Sequence, residues 1–179
     1  MAYWHSTSLA YLAFQMYDDA RARVDRALAV SGDAWEILNT KGNILASLGL
    51  AEAALQTYHA ALDAMPAEAA LGQKTVRTNL GELLSMEGKY SEADAYFAQA
   101  LEALPSSDVA LQRALNYRYW ALAEFEQRRW EEAERLAGQG IATADLALQM
   151  DPTNPTAQKL LAALRLFVAL RLGATDSAP

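Results

Sequence analysis

The chain contains no cysteine. That absence excludes disulfides, thiolate nucleophiles, iron–sulfur clusters and cysteine-ligated zinc together. Histidine is almost as scarce: His5 and His59 are the only two in 179 residues, too few for a histidine-built metal site. Positive charge is in deficit, with 15 Lys and Arg against 22 Asp and Glu and a net charge of −7. Phosphate contacts need clustered cations, so this balance excludes nucleic acid as the expected partner. No apolar run reaches the roughly 18–20 residues that a spanning helix needs. The nearest, Leu160–Leu172, is shorter and contains Arg165. The stretch MAYWHSTSLAYLAFQMYDDA has no Lys or Arg ahead of its apolar residues, and Asp18 and Asp19 follow. That is not the pattern of a secretory signal. The expectation is a soluble, cytoplasmic protein with no membrane partner, no metal and no cofactor. Its first helix is expected to start close to Met1, as in a domain excised from a longer chain.

What is present is a helical alphabet. Hydrophobic residues make up 53% and charged residues 21%, a globular balance. Alanine and leucine, both strong helix formers, dominate. No β-branched alternation is sustained, and no Asn-Gly or Asp-Gly hairpin separates apolar runs. Punctuation is regular: Gly32-Asp33, Gly49, Pro66, Gly88, Pro105, Pro152 and Pro155. Between these marks, apolar residues recur at i, i+3, i+4 and i+7. Gly32 suits the position after a helix, where φ is often positive. Asp33 with Glu36 has capping-box spacing, and Asn154-Pro155 places a cap ahead of a proline in the first turn. The pattern predicts antiparallel helices joined by short turns.

The chain also repeats itself. Gly42-Asn43-Ile44-Leu45 aligns with Gly81-Glu82-Leu83-Leu84. From there the two stretches share Gly49 and Gly88, Ala54 and Ala93, Tyr58 and Phe97, Ala61 and Ala100, and Pro66 and Pro105, at identical spacing. This pattern resembles the tetratricopeptide repeat (TPR) family, whose unit is a helix–turn–helix of about 34 residues. With the small residue of the first helix at repeat position 8, repeats start at Met1, Trp35, Lys74 and, more loosely, Ala114. In the fourth, Gly140 replaces the alanine at position 27 and Asp145 falls where proline is expected. The resemblance implies an all-α, right-handed TPR-like solenoid of antiparallel helix pairs. Four pairs occupy residues 1–152, at about 1–34, 35–66, 74–105 and 114–152. A capping helix over 153–173 and a disordered tail over 174–179 complete the division. Small residues at positions 8, 20 and 27 let helices approach; large residues at 4, 11, 17 and 24 fill the gaps between them. No repeat buries its apolar face alone, so repeats stack. Residues 67–73 and 106–113 are surplus to the repeat length and helix-compatible, so the first helices there are expected to project about two turns further. With Pro152 the first proline after that point, the second helix of the fourth repeat is expected to be about two turns longer.

No enzymatic constellation stands out. Gly138-Gln139-Gly140 lacks the preceding strand and third glycine of a phosphate loop. Glu131, Glu132 and Glu134 open a helix, where negative charge meets the positive dipole end. His5 beside Ser6-Thr7-Ser8 is adjacency, not a triad. His59 reads as a surface or interhelix residue. Trp4, Trp120 and Trp130 fall at packing positions, and Trp35 opens a helix where it can staple the turn.

The expected function is therefore binding. The resemblance implies a non-enzymatic module that holds a protein or peptide segment in a concave groove, as an adaptor or scaffold. In the family, positions 2, 5, 9 and 12 of each first helix line that groove. Here they are Ala2, His5, Leu9 and Leu12; Glu36, Asn39, Asn43 and Ala46; Thr75, Thr78, Glu82 and Ser85; Leu115, Arg118, Leu122 and Phe125. The expected contacts are His5, Asn39, Asn43, Thr78, Glu82, Arg118, Leu122 and Phe125, the asparagines bonding a peptide backbone and the apolar residues anchoring side chains. Asn39 and Asn43 could equally bond the next helix. The family's chaperone-tail clamp does not fit: Asn43 and Asn79 match it, but Asn39, Leu115 and Tyr119 replace its three cations. A second reading rests on the C-terminal helix. Leu160, Leu161, Leu164, Phe167 and Val168 form one apolar face, and Leu166 and Leu170 form another ridge opposite it. That ridge is either a partly exposed surface or an oligomer contact that makes the chain self-assembling.

Overall fold

The computed structural model describes residues 16–32 and 34–175. Trp4, His5, the first helix of the first repeat, Asp33 and residues 176–179 lie outside the described residues. The described chain is all helix: α1 (Tyr17–Ser31), α2 (Trp35–Ser47), α3 (Ala51–Asp63), α4 (Ala70–Met86), α5 (Tyr90–Ala103), α6 (Ser107–Glu126), α7 (Trp130–Met150) and α8 (Pro155–Thr175). In the N-terminal part α2 packs on α1 and α3; in the C-terminal part α6 packs on α5 and α7, α7 packs on α8, and α6 also meets α8. The chain forms two compact units, one up to Leu83 and one from Leu84 onward.

The turns inside the hairpins share one hydrogen-bond pattern. After α2, Gly49 N donates to Ala46 O and Leu50 N reaches back to Leu45 O at 2.9 Å. After α4, Gly88 N donates to Ser85 O and Lys89 N to Leu84 O at 2.9 Å. After α6, Arg128 N donates to Phe125 O and Arg129 N to Glu124 O at 3.0 Å. Each turn satisfies otherwise orphaned helix-end carbonyls through one residue in the left-handed region. Gly49 and Gly88 adopt it at φ 73° and 74°, and Arg128 at φ 60°.

Repeat positions read as packing positions become core. In the N-terminal unit, Ala20, Val24, Ala27, Ile37 and Ile44 form a buried cluster. Gly42, at position 8, lies under the Tyr58 ring, and a Cβ there would overlap that ring. The Trp35 ring packs over Gly72 beside Met65, so Trp35 ties the start of α2 to the first turn of α4. In the C-terminal unit, Ala114, Tyr117, Ala121, Leu136, Ala137 and Ala144 form a core with Leu160, Leu161 and Leu164 of α8. Gly140 approaches Leu164 and Tyr117 closely.

Helix lengths follow the prolines and the turns. α7 has 21 residues, against 13 and 14 for α3 and α5, the two-turn extension. α6 has 20 residues, about two turns more than the 13 of α2. α4 has only 17, because residues 66–69 are used in a turn. There Ala69 N donates to Pro66 O, and Gln73 Nε2 caps Ala67 O at 2.8 Å. α8 starts as expected, with Asn154 Oδ1 accepting from Thr156 N and Ala157 N at 3.0 Å. It continues to Thr175, so residues 174 and 175 are helical rather than tail.

Candidate functional site

Polar side chains of the expected binding stripe converge in the N-terminal unit. Asn39 and Asn43 lie one turn apart on α2, and Asn79 on α4 faces them. Asn79 Nδ2 donates to Asn39 Oδ1 at 2.8 Å and to Asn43 Oδ1 at 3.0 Å. Tyr58 of α3 adds a third donor, its hydroxyl reaching Asn43 Oδ1 at 2.7 Å. Three donor bonds therefore converge on two carbonyl oxygens. The Nδ2 groups of Asn39 and Asn43 have no acceptor among the described residues, and Asn79 Oδ1 has no donor. The Tyr58 ring is buried, while the three amides are half-buried. Burial, then the nearby Glu82 carboxylate, push the Tyr58 phenol well above its usual range, so it stays a neutral donor.

Glu82 lies one turn beyond Asn79 on α4. Its side chain is half-buried and makes no hydrogen bond or ion pair among the described residues. Burial pushes its carboxyl above the usual range. The Thr78 hydroxyl donates to Lys74 O in its own helix at 2.8 Å. Thr75 does the same toward Leu71 O.

The expected contacts of the C-terminal unit are mixed with its packing. Phe125 makes edge-on ring contacts with Trp130 at 4.7 Å and Phe167 at 5.4 Å, joining α6, α7 and α8. Its remaining surface and Leu122 are each 38% exposed. Arg118 is half-buried, with its guanidinium 5.9 Å from the Tyr119 ring centre. On α8, Leu166 and Leu170 are 59% and 67% exposed while the opposite face is core. His59 is exposed, and His5 lies outside the described residues.

The other polar networks of this unit are bonded inward. Arg113 grips Asp94 through two bonds of 2.7 and 3.2 Å, with Tyr117 beside it. Asn116 Nδ2 donates to Tyr90 O at 3.0 Å. Trp120 Nε1 donates to Glu124, and Arg129 pairs with the same carboxylate and holds it below the usual range. An open pocket over Tyr90 and Trp120 measures about 260 Å³, below the roughly 300–1,000 Å³ of small-molecule sites. Among the described residues, no group of three metal-ligating side chains occurs and no helix is long and apolar enough to cross a membrane.

Tyr58 and Asn79 belong to this hydrogen-bonded cluster, although groove positions alone did not single them out. Tyr58 reads in the sequence as a repeat packing aromatic, and its hydroxyl carries the extra role. Asn79 was visible only as a match to a clamp whose cations are missing.

Comparison with known proteins agrees with this architecture. Residues 33–106 match the Tetratricopeptide repeat family model. Human Protein O-mannosyl-transferase TMTC1 is 29% identical over 104 residues, which is 56% of this chain but 11% of that protein. Among solved structures, the APC/C hetero-tetramer Cut9–Hcn1 superposes with a TM-score of 0.73 at 17% identity, covering 90% of this chain and 29% of that one. MamA from Desulfovibrio magneticus RS-1 gives 0.72 at 16% identity, over 98% and 89%. YrrB, described as a TPR protein with an unusual peptide-binding site, gives 0.63 at 20% identity, over 87% and 71%.

Proposed function

We propose that this chain, whose residues 33–106 match the tetratricopeptide repeat model, binds an extended peptide or protein segment along the polar stripe of α2 and α4. The role is that of a non-enzymatic adaptor in a larger assembly. The observation that carries the reading is the orientation of the three amides. Tyr58 and Asn79 occupy the carbonyl ends of Asn39 and Asn43. Two amide donors and one amide acceptor are left over. A peptide backbone offers one carbonyl and one N–H per residue, the matching set. The network also holds these groups in place before any partner arrives, which lowers the ordering cost of binding. That YrrB is described with a peptide-binding site on the same fold adds support by analogy. On this reading Thr78 flanks the stripe rather than donating to the ligand. Leu122, Phe125 and Arg118 are proposed as a second contact patch within the C-terminal unit.

The test is a random-peptide display selection on the full chain, followed by amide-shift mapping with one selected peptide. Shifts at Asn39, Asn43, Asn79 and Glu82 are expected. Peptides that perturb only residues beyond Leu84 would move the function elsewhere.

A second reading, self-assembly through α8, is favoured by the exposure of Leu166 and Leu170. Sedimentation would then show a mass that rises with concentration and falls back in Leu166→Glu/Leu170→Glu. A monomer at high concentration sinks it.

A further inference from the structure

We infer that the bound segment presents a lysine or arginine side chain to Glu82. This rests on the reading of the α2–α4 stripe as a peptide site and names what that site selects. Of the stripe residues Glu36, Asn39, Asn43, Thr75, Thr78 and Glu82, two are acids and none is a cation. The cations nearby do not serve Glu82. Lys41 is held by Asp25 at 2.8 Å. Arg77 turns to Gln73 at 2.6 Å on another face of α4. Lys74 lies two helical turns away, about 12 Å along the axis. The other polar neighbours are amides and the neutral Tyr58 phenol, and a phenol adds no positive charge.

A half-buried carboxylate with no partner among the described residues is a cost the free protein already bears. Burial raises its pKa for the same reason. A cation arriving from a ligand gains the Coulomb attraction without a further large desolvation of Glu82, because most of that penalty is incurred on folding. An acidic tail would meet repulsion from Glu82 instead. Charge complementarity therefore selects a cationic segment, with the amides holding its backbone and Glu82 its side chain.

Random-peptide display against the full chain tests this, run in parallel on Glu82→Gln and Glu68→Gln. The expected result is enrichment of Lys or Arg at one fixed place in the peptides selected by the unmodified chain. Glu68→Gln, an exposed acid outside the stripe, should keep that enrichment, which controls for the overall negative charge, and Glu82→Gln should lose it. A synthetic selected peptide should bind Glu82→Gln about tenfold more weakly. Peptides selected without cation enrichment, or equally enriched on Glu82→Gln, overturn the inference and leave peptide binding standing. If no peptide is selected by a chain that circular dichroism shows to be folded, both this inference and the peptide-binding reading fall.

Discussion

At the scale of single residues, Glu82 and Gly42 make opposite predictions. Glu82 is raised above its unfolded value by burial, so folding favours its neutral form. Its charge therefore opposes folding above the folded-state pKa, and stability is regained as pH falls through that value toward the unfolded one. Glu82→Gln should raise the melting temperature at neutral pH by about 1–3 °C and flatten the melting curve's dependence on mildly acidic pH. Thermal melts of both proteins from neutral to mildly acidic pH check this. A variant that is more stable but binds less well is the behaviour of a functional residue under strain. Gly42 is the reverse case. A Cβ there meets the Tyr58 ring, and that ring is tied to Asn43 by its hydroxyl. Gly42→Ala should cost about 1–3 kcal/mol in urea unfolding, the range of overpacked cores. The sequence marks Gly42 clearly, as a small residue aligned with Gly81. It does not show that Tyr58 and Asn79 set the direction of two amides, because that depends on helices far apart in the chain.

At the scale of elements, the hairpin turns carry the repeat more faithfully than the letters do. Gly49 and Gly88 are legible because glycine enters the left-handed region without steric cost. Arg128 occupies the same place in the same hydrogen-bond pattern, yet nothing about an arginine announces it. Arg128→Gly should stabilise the chain by up to about 1 kcal/mol, read as a shifted denaturation midpoint with an unchanged slope. A loss of stability would mean that Arg128 makes up for its backbone strain elsewhere. The long α7 follows from Pro152, since no earlier proline stops it. The shorter α4 was not legible, because the turn after Pro66 closes through the Gln73 side chain.

At the scale of the whole molecule, the chain divides into two compact units, and α8 completes the core of the C-terminal one. α8 buries Leu160, Leu161 and Leu164 and leaves Leu166 and Leu170 outside. Leu166→Glu/Leu170→Glu should therefore change unfolding stability by no more than about 0.5 kcal/mol and leave helicity intact. Leu164→Ala, on the buried face, should cost about 2–5 kcal/mol. Circular dichroism and urea melts on the two variants separate the faces. Equal damage from both would show that the Leu166/Leu170 ridge is covered.

By itself the sequence determined the helical class, the repeat spacing, the turn glycines and most core positions. Each of these is a local preference or a period that recurs along the chain. The missing cysteines and the shortage of cations narrowed the chemistry in the same direct way. The tertiary structure alone decided which amide ends face one another, and that Glu82 is half-buried with no partner among the described residues. It also turned Thr78 back onto its own helix and wedged Phe125 between Trp130 and Phe167. Those outcomes depend on distances between side chains brought together by packing, and no spacing within one helix encodes them.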